Sequence, residues 1–406
     1  MLGVWSAFLF NICLALLPMA SAFAIVAVQR DNLYTYESTP SLAQDVRARI
    51  ERIAGGLIPL DFDRRRQWDD MVAIELVKGD VSAARGFVLS ARAMLPSRDA
   101  DQLNRALHSG ASDADIELAA LDFLTPGTRA RYESAVPLLS RRSASGLATT
   151  RAAERPAPLG DARDFELLAG AMMGDADSDP LHFTLTGLGL GLGGALTPRM
   201  QAGASALIAA GRDPNFGGQF AQEITDLVAS AAPADKFRAE ALSRVRGGAD
   251  PAAFPVASAA FRAAVDAHGL NAVKALLDQI GRMSEASSPS GAALLLTHAR
   301  SMRDLPRLLL IAEAGGDRAT AVAKNAPHDG RLPGAAHGVL KFSGDLISML
   351  GVIALAVIGL MFAASATSVE AFRRAWRNVH ADMYATTRRG RNDELVQNFD
   401  VPWRTL

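Results

Sequence analysis

Hydrophobic positions recur at helical spacing along most of the chain, and two longer uncharged runs stand near its ends. Residues 346–366 read LISMLGVIALAVIGLMFAASA, without a charged side chain. At about 1.5 Å per residue, a helix of this length covers roughly 30 Å, the hydrocarbon thickness of a bilayer. Arginines crowd the segment that follows it, at Arg373, Arg374 and Arg377. This pattern predicts a transmembrane helix whose C-terminal end lies in the cytoplasm.

Residues 1–28 form the other uncharged run, and two interpretations of it stay open. Its length suits a transmembrane anchor with some tilt. Small residues at 20–22 and 22–24 also fit the cleavage site of a signal peptide. Because the apolar run continues past both sites and begins without Lys or Arg, we favour an uncleaved anchor. Two anchors in this orientation place residues 29–341 outside the cytoplasm.

Short amphipathic helices are predicted between the two runs, among them 305–314 and 318–324. The fold class is therefore mainly α, with N- and C-terminal transmembrane helices flanking a large α-helical extramembrane region of helical hairpins. Residues 141–159 are small, polar and contain proline, which is typical of a linker. They divide the region into two predicted helical domains, 29–140 and 160–340. Thr39 and Pro40 are predicted to begin the first helix as N-cap and first helical residue.

The first domain contains a predicted helical hairpin with its turn at Gly79 and Asp80. Its packing residues match those of a single tetratricopeptide unit: Trp68, Met71, Ala84, Ala91 and Pro96. No second copy stands one period upstream or downstream, and a solenoid needs about three units to bury a continuous core. We therefore expect a single TPR-like hairpin without a repeat array, and we favour an ordinary antiparallel helix pair over a true tetratricopeptide unit.

Leucine alternates with glycine through residues 181–197, LHFTLTGLGLGLGGALT. The glycine spacing also satisfies a dinucleotide-binding pattern, but no strand pattern precedes it, so we favour a helix. On that helix, Gly187, Gly191 and Ala195 form a small-residue face that permits close helix packing. Together with the next apolar helix it makes a hydrophobic hairpin, 181–211, which we expect to be buried in protein or to dip into the membrane.

Apolar and basic positions separate again after the second uncharged run, in the basic amphipathic tail predicted for residues 367–406. Phe372 and Val379 share one helical stripe with a tryptophan, while arginines face away from it. This pattern predicts a helix lying in the lipid headgroup layer on the cytoplasmic side. Its predicted membrane-interface residues are Arg373, Arg374, Trp376 and Arg377.

Composition and motifs narrow the function classes. The chain has 42 Lys and Arg against 43 Asp and Glu, which argues against nucleic-acid binding. Cys13 is the only cysteine, so neither an internal disulfide nor a thiolate metal site is available. The seven histidines show no zinc-protease spacing, and no Walker loop or nucleophile elbow occurs. We predict no catalytic residues, no cofactor and no metal site.

Three stretches resemble an uncharacterised family of bacterial two-anchor inner-membrane proteins. They read VKGDVSAARGFVLSARAMLP, GDARDFELLAGAMMGDADSDPLHFTLTGLGLGLGGALT and GAALLLTHARSMRDLPRLLLIAEAGG, and they cover about a fifth of the chain. The resemblance implies a helical envelope protein, and it supplies no catalytic or ligand-binding residues.

The leading functional hypothesis is a membrane-anchored periplasmic scaffold or protein-interaction module of the bacterial inner membrane, without a catalytic role. Its expected partners are the lipid bilayer and an envelope protein or a second copy of the chain. The alternative is a channel, transporter accessory or pore-forming element that uses the hairpin 181–211. An envelope hydrolase with scattered catalytic residues is a third hypothesis, which the sequence neither places nor excludes.

Overall fold

The computed structural model describes only part of the chain. The described ranges are 34–36, 38–59, 61–108, 110–135, 158–174, 179–245, 250–337, 339–340 and 371–381, with Pro18 and scattered positions between 351 and 369. The chain divides into two compact units: the helical unit, Tyr36–Gly338, and the terminal unit, Met1–Thr35 with Val339–Leu406. Most of the predicted anchors (1–28 and 346–366), the linker up to residue 157 and the tail beyond residue 381 lie outside the described residues.

The described part of the helical unit is built from α-helices, which confirms the mainly α-helical fold. Their bounds are α1 Pro40–Gly56, α2 Arg64–Lys78, α3 Val81–Leu89, α4 Ala91–Met94, α5 Ser97–Ala106, α6 Asp113–Ala120, α7 Pro126–Ala135, α8 Ala162–Met173, α9 Pro180–Gly189, α10 Pro198–Gly211, α11 Gly218–Ala231, α12 Ala234–Arg244, α13 Phe254–Ala264, α14 Ala267–Ala286, α15 Pro289–Leu296, α16 Leu305–Gly315, α17 Asp317–Asn325 and α18 Arg331–Gly334. Short 3₁₀ turns stand at Asp61–Asp63, Leu121–Phe123 and Met302–Asp304.

Two short strands belong to the terminal unit, β1 at Tyr34–Thr35 and β2 at Val339–Leu340. They pair antiparallel, with Tyr34 opposite Leu340 and Thr35 opposite Val339. The segments that precede and follow the helical unit in sequence are therefore hydrogen-bonded to each other. Strands of two residues have no periodicity, so neither is predicted from the sequence.

Local sequence explains where several helices begin. At α1, Thr39 Oγ1 accepts a hydrogen bond of 3.3 Å from the Leu42 amide, and Pro40 is the first helical residue, which confirms the predicted start. The same combination of a capping side chain and proline begins α9, at Asp179 and Pro180. In each case the cap satisfies an amide that the first helical turn leaves without a partner.

The hairpin predicted around Gly79 is formed by α2 and α3. Gly79 ends α2 with a left-handed φ of 75°, which favours glycine, and the Asp80 side chain caps α3. Trp68 on α2 is fully buried, and its indole N–H donates to the Phe87 carbonyl of α3 over 2.9 Å. This hydrogen bond fixes the register of the two helices.

Helices from both predicted domains, 29–140 and 160–340, belong to one compact unit, Tyr36–Gly338. Helix α17, late in the chain, packs against α1 and α3 of the first predicted domain. Gly86 on α3 allows this approach, because a Cβ there would lie 2.0 Å from the Asp317 carbonyl oxygen. Helices on both sides of the polar segment bury their apolar faces against each other, so a linker-like composition does not separate two cores here.

A second close crossing joins α10 to α14. A Cβ at Gly203 would lie 2.1 Å from the Leu277 carbonyl oxygen, and one at Gly281 would lie 2.3 Å from the Arg199 carbonyl oxygen. The backbones of the two helices therefore touch directly at this pair of glycines. Small residues at Gly203 and Gly281 thus serve close helix packing outside the leucine–glycine pattern of 181–197.

Candidate functional site

Gly187, one of the three predicted helix-packing residues, lies inside α9 at a close contact. A Cβ at Gly187 would stand 2.5 Å from Cζ of Phe261, so the absence of a side chain lets that ring lie against α9. The ring belongs to what we call the phenylalanine cluster: Phe165, Phe183, Phe237, Phe254 and Phe261. Helices α8, α9, α12 and α13 supply these rings.

Gly191 and Ala195 lie outside α9, which corrects the single helix predicted across 181–197. Gly191 has a left-handed φ of 73°, the Gly191 amide donates to the Leu188 carbonyl, and the Leu192 amide donates to the Gly187 carbonyl, both over 3.0 Å. This is the Schellman arrangement that ends a helix at glycine. Ala195 follows in an exposed loop and cannot share a helical face with Gly187.

The hairpin 181–211 lies within the helical unit. Leu185 and Leu188 of α9 and Leu207 of α10 are at most 1% exposed, and α10 packs on α14 and α15. Its apolar surface is therefore covered by other helices of the same unit. This environment offsets the cost of glycine in α9, about 1 kcal/mol per site relative to alanine.

The predicted membrane-interface residues stand on a helix that includes residues 371–381. Phe372, Trp376 and Val379 are 68%, 57% and 54% exposed. The Phe372 and Trp376 rings stack at a centroid distance of 6.2 Å, and Arg373 and Arg377 border them. Helical spacing places the three apolar side chains on one face and the arginines beside it.

The described residues contain no helix that is both long and apolar enough to cross a bilayer. Scattered positions of 346–366 are described, and they are helical. Leu355, Ile358 and Met361 among them are 70%, 60% and 69% exposed. The terminal unit therefore presents large apolar side chains on its surface both before and within 371–381.

A polar cavity of about 260 Å³ lies in the helical unit between α11 and α15. Its wall is formed by Asn215, by residues 217–219 at the start of α11, by residues 297–300 after α15, and by His328. None of these residues was singled out from the sequence. They come from three distant segments, and no single segment carries a motif.

Two imidazole rings stack in this wall. The ring centroids of His298 and His328 are 4.1 Å apart, with planes only 5° from parallel. His298 Nε2 lies 2.8 Å from the Ala323 carbonyl oxygen and therefore carries the donated hydrogen. The Thr297 hydroxyl donates to the Leu294 carbonyl over 2.7 Å, so its oxygen accepts from His328 Nε2 at 3.2 Å. Both tautomers are thus assigned from their partners.

The buried ring of His298 is held neutral. Burial lowers the pKa of His298, and the hydrogen bond to Ala323 and the neighbouring Asp329 and Asp213 only partly oppose that effect. With its hydrogen on Nε2, the neutral ring presents Nδ1 as an acceptor. This Nδ1 atom has no hydrogen-bond partner among the described residues. A buried acceptor without a partner is uncommon and points to a ligand or a change in conformation.

A second polar cluster, which we call the charge seam, surrounds α17. Asp317 binds Arg85 over 2.8 Å, Arg318 binds Asp113 over 3.0 Å, and Lys324 pairs with Glu75 and Asp80. Arg85 also reaches Glu117 at 2.9 Å, and Glu117 accepts a 2.7 Å hydrogen bond from Tyr132. The seam thereby joins α17 to helices α2, α3, α6 and α7.

Burial and the charges of neighbouring groups shift the pKa values of several side chains of the seam, among them Tyr132 and Arg85. Burial raises the pKa of Tyr132, and the neighbouring carboxylate of Glu117 raises it further, so the phenol stays protonated. Burial alone would lower the pKa of Arg85, but Glu117 and Asp317 outweigh it and the pKa is raised. These groups are mutually satisfied, and the arrangement serves to hold α17 in place.

The described residues hold no group of three or more His, Cys, Asp or Glu side chains that could bind a metal ion. The chain matches no model of a known protein family, no curated protein and no solved structure.

Proposed function

We propose that this chain is a membrane-anchored helical scaffold or protein-interaction module that holds its helical unit beside a bilayer. The observation that carries the proposal is the apolar surface of the terminal unit. Leu355, Ile358, Met361, Phe372 and Trp376 are each more than half exposed on helical residues. Removing apolar surface from water is worth about 25 cal/mol per Å², so a run of such side chains favours lipid as its surroundings.

The arginines after the apolar run support a cytoplasmic location for the tail. Arginines 373, 374 and 377 follow the apolar run and flank the Trp376 ring. Anionic headgroups attract such arginines, and tryptophan is enriched at the interface between lipid and water. We place this end in the cytoplasm and the helical unit in the periplasm of a bacterial inner membrane. The resemblance to bacterial two-anchor membrane proteins agrees with this placement.

The make-up of the helical unit supports the scaffold role. Its described charges pair mainly with one another, as in the charge seam, and its helices cover each other's apolar faces. A pore built on 181–211 has less support, because those leucines are buried within the unit. An envelope protein or a second copy of the chain is the expected partner.

Membrane attachment is tested with the full chain expressed in a bacterium. Because residues 1–28 are a second predicted anchor, Leu355→Glu combined with Ile358→Glu should not release the protein. It should instead move a reporter fused after residue 395 out of the cytoplasm, since each charge in a span costs about 2.5–3.5 kcal/mol. The control is Leu118→Glu, because Leu118 is 69% exposed in the helical unit and lies far in sequence from the apolar run. Wild-type protein that washes off in carbonate would overturn the anchor.

Topology and partnership are tested separately. Reporter fusions after residues 160 and 215 should be active only outside the cytoplasm, and a fusion after residue 395 only inside it. Crosslinking followed by purification should recover a stoichiometric partner or a homo-oligomer. A clean monomer that turns over a substrate would contradict the scaffold role.

A further inference from the structure

The cavity between α11 and α15 has a positive side formed by a helix start. Helix α11, of 14 residues, begins at Gly218, and its N-cap residue Gly217 provides no capping side chain. The first amides of a helix lack partners within the helix, and the helix dipole makes that end attractive to anions. Both glycines line the cavity, so no side chain at these two positions shields the amides from it.

Arg300 adds a full positive charge to the same wall. Its guanidinium lies against Gly330, where a Cβ would stand 2.6 Å from Arg300 Cζ. No carboxylate is among the described residues that line the cavity. The carboxylates near its wall have partners: Asp213 accepts from the Asn215 amide over 2.8 Å, Asp329 pairs with Arg331 over 2.8 Å, Glu223 accepts from the Met302 amide over 2.7 Å, and Asp304 pairs with Arg307 over 3.2 Å. The wall is therefore cationic on balance, which favours an anionic ligand.

Whereas the α11 amides and Arg300 favour a ligand with anionic oxygens, His298 requires a ligand that donates a hydrogen bond. The residue is 3% exposed, lines the cavity, and has an Nδ1 acceptor without a partner among the described residues. A ligand that satisfies this atom must bring an N–H or O–H donor. Nδ1 is itself buried, so the His298 ring must turn before a ligand donor can reach this atom. His328, which stacks on this ring, is exposed and hydrogen-bonded to Thr297 at 3.2 Å, so it can yield as a ligand donor enters.

We propose that the cavity binds a small oxyanion that carries its own O–H group, with hydrogen phosphate as the simplest member of this class. The anionic oxygens face the α11 amides and Arg300, and the O–H donates to His298 Nδ1. A cavity of about 260 Å³ has room for a phosphate group and a few further atoms. A phosphate monoester has lost this O–H at pH 7.5, so a larger molecule would have to supply it from a neighbouring hydroxyl group, as glycerol 3-phosphate can.

The experiment is isothermal titration calorimetry on the full chain in detergent at pH 7.5. The probes are inorganic phosphate, glycerol 3-phosphate and sulfate, which has no O–H at this pH. Phosphate should bind about tenfold more tightly than sulfate, the usual scale of one added hydrogen bond. Tighter binding of glycerol 3-phosphate than of phosphate would assign the site to the end of a larger molecule, and the reverse order would assign it to the free ion.

Variants separate the two halves of the site. Arg300→Ala should weaken both phosphate and sulfate at least tenfold, whereas Arg303→Ala, an exposed arginine of the same segment outside the cavity, should change neither. His298→Phe should reduce phosphate affinity to that of sulfate and leave sulfate unchanged. Circular dichroism must first show that each variant folds. For the wild type, phosphate should also shift the nitrogen resonance of His298 Nδ1.

The proposal is overturned by absence of phosphate binding up to about 10 mM, a range that includes weak sites. It is equally overturned if phosphate and sulfate bind alike while the His298 Nδ1 resonance stays fixed. Neither result bears on membrane attachment, which carbonate extraction tests independently.

Discussion

The phenylalanine cluster and the charge seam hold helices together by different chemistry within the same helical unit. In the cluster, ring centroids from α8, α9, α12 and α13 lie 4.8 to 6.2 Å apart. In the seam, arginines of α3 and α17 meet carboxylates at 2.8 to 3.0 Å. The cluster contains no ionisable group, whereas the seam buries Arg318 to 1% exposure and Asp317 to 8%.

The two regions contribute differently to the fold, one to its stability and the other to the position of α17. Apolar burial is not directional, so the cluster stabilises many similar packings almost equally. A bidentate arginine–carboxylate pair is satisfied in one geometry only, and a buried pair gains little net stability over apolar residues. We therefore expect the cluster to supply free energy and the seam to fix where α17 lies on α3.

The largest effect is expected for Phe183→Ala in the centre of the cluster. Phe183 is fully buried and contacts the rings of Phe165, Phe237 and Phe261. Truncation leaves a cavity, and the free energy of unfolding should fall by about 3–5 kcal/mol. Urea unfolding of the full chain in detergent measures it, and the loss should be the same at low and high salt. Phe62→Ala is the control, because Phe62 is 87% exposed.

A smaller loss, about 2 kcal/mol, is expected for Arg318→Met in the seam, because hydrogen bonds to charged groups are worth about 1.5–3 kcal/mol and Asp113 is partly exposed. Methionine keeps much of the volume but leaves Asp113 without its bidentate partner. Adding Asp113→Asn should recover part of the loss, which a packing defect alone would not allow. Arg129→Met is the matched control: Arg129 also meets two carboxylates at 2.8 Å, but on the exposed surface, so no measurable change is expected. Equal losses from both arginines would contradict the assigned role of the seam.

The sequence predicted most of the helices, because their signals are local. The predicted 305–314 and 318–324 correspond to Leu305–Gly315 and Asp317–Asn325, and the start at Thr39 is correct. These features depend on apolar spacing and on capping side chains within a few residues. The end of α9 was missed, since leucine alternating with glycine fits both a helix and a glycine-terminated cap.

The candidate site and the seam could not be read from the chain in the same way. Arg85 and Asp317 pair across more than two hundred residues of sequence, and neither side chain indicates its partner. His298 and His328 come together only because α17 returns the chain to the end of α15. A single histidine in a sequence gives no sign of burial or of an unpartnered nitrogen. Such features depend on tertiary packing, which a one-dimensional pattern does not contain.

The smallest expected effect separates the two regions by pH. Burial would raise the pKa of Asp113, but hydrogen bonds and charge from Arg318, with Arg47 and Arg85, hold it below its usual value. In the unfolded chain the carboxyl returns to a pKa of about 3.9. The native state then binds fewer protons, so the seam's stabilisation is complete above about pH 4–5 and is lost as pH falls through the lowered native pKa.

Asp113→Asn should therefore flatten the decline of stability below pH 4, whereas Phe183→Ala should shift the whole curve downward without changing its slope. Acid unfolding followed by circular dichroism measures both. If Asp113→Asn leaves the decline of stability below pH 4 unchanged, then protonation of Asp113 in its pair with Arg318 does not contribute to that decline. The seam would then act on α17 through the shape of its contacts alone, such as the close approach at Gly86.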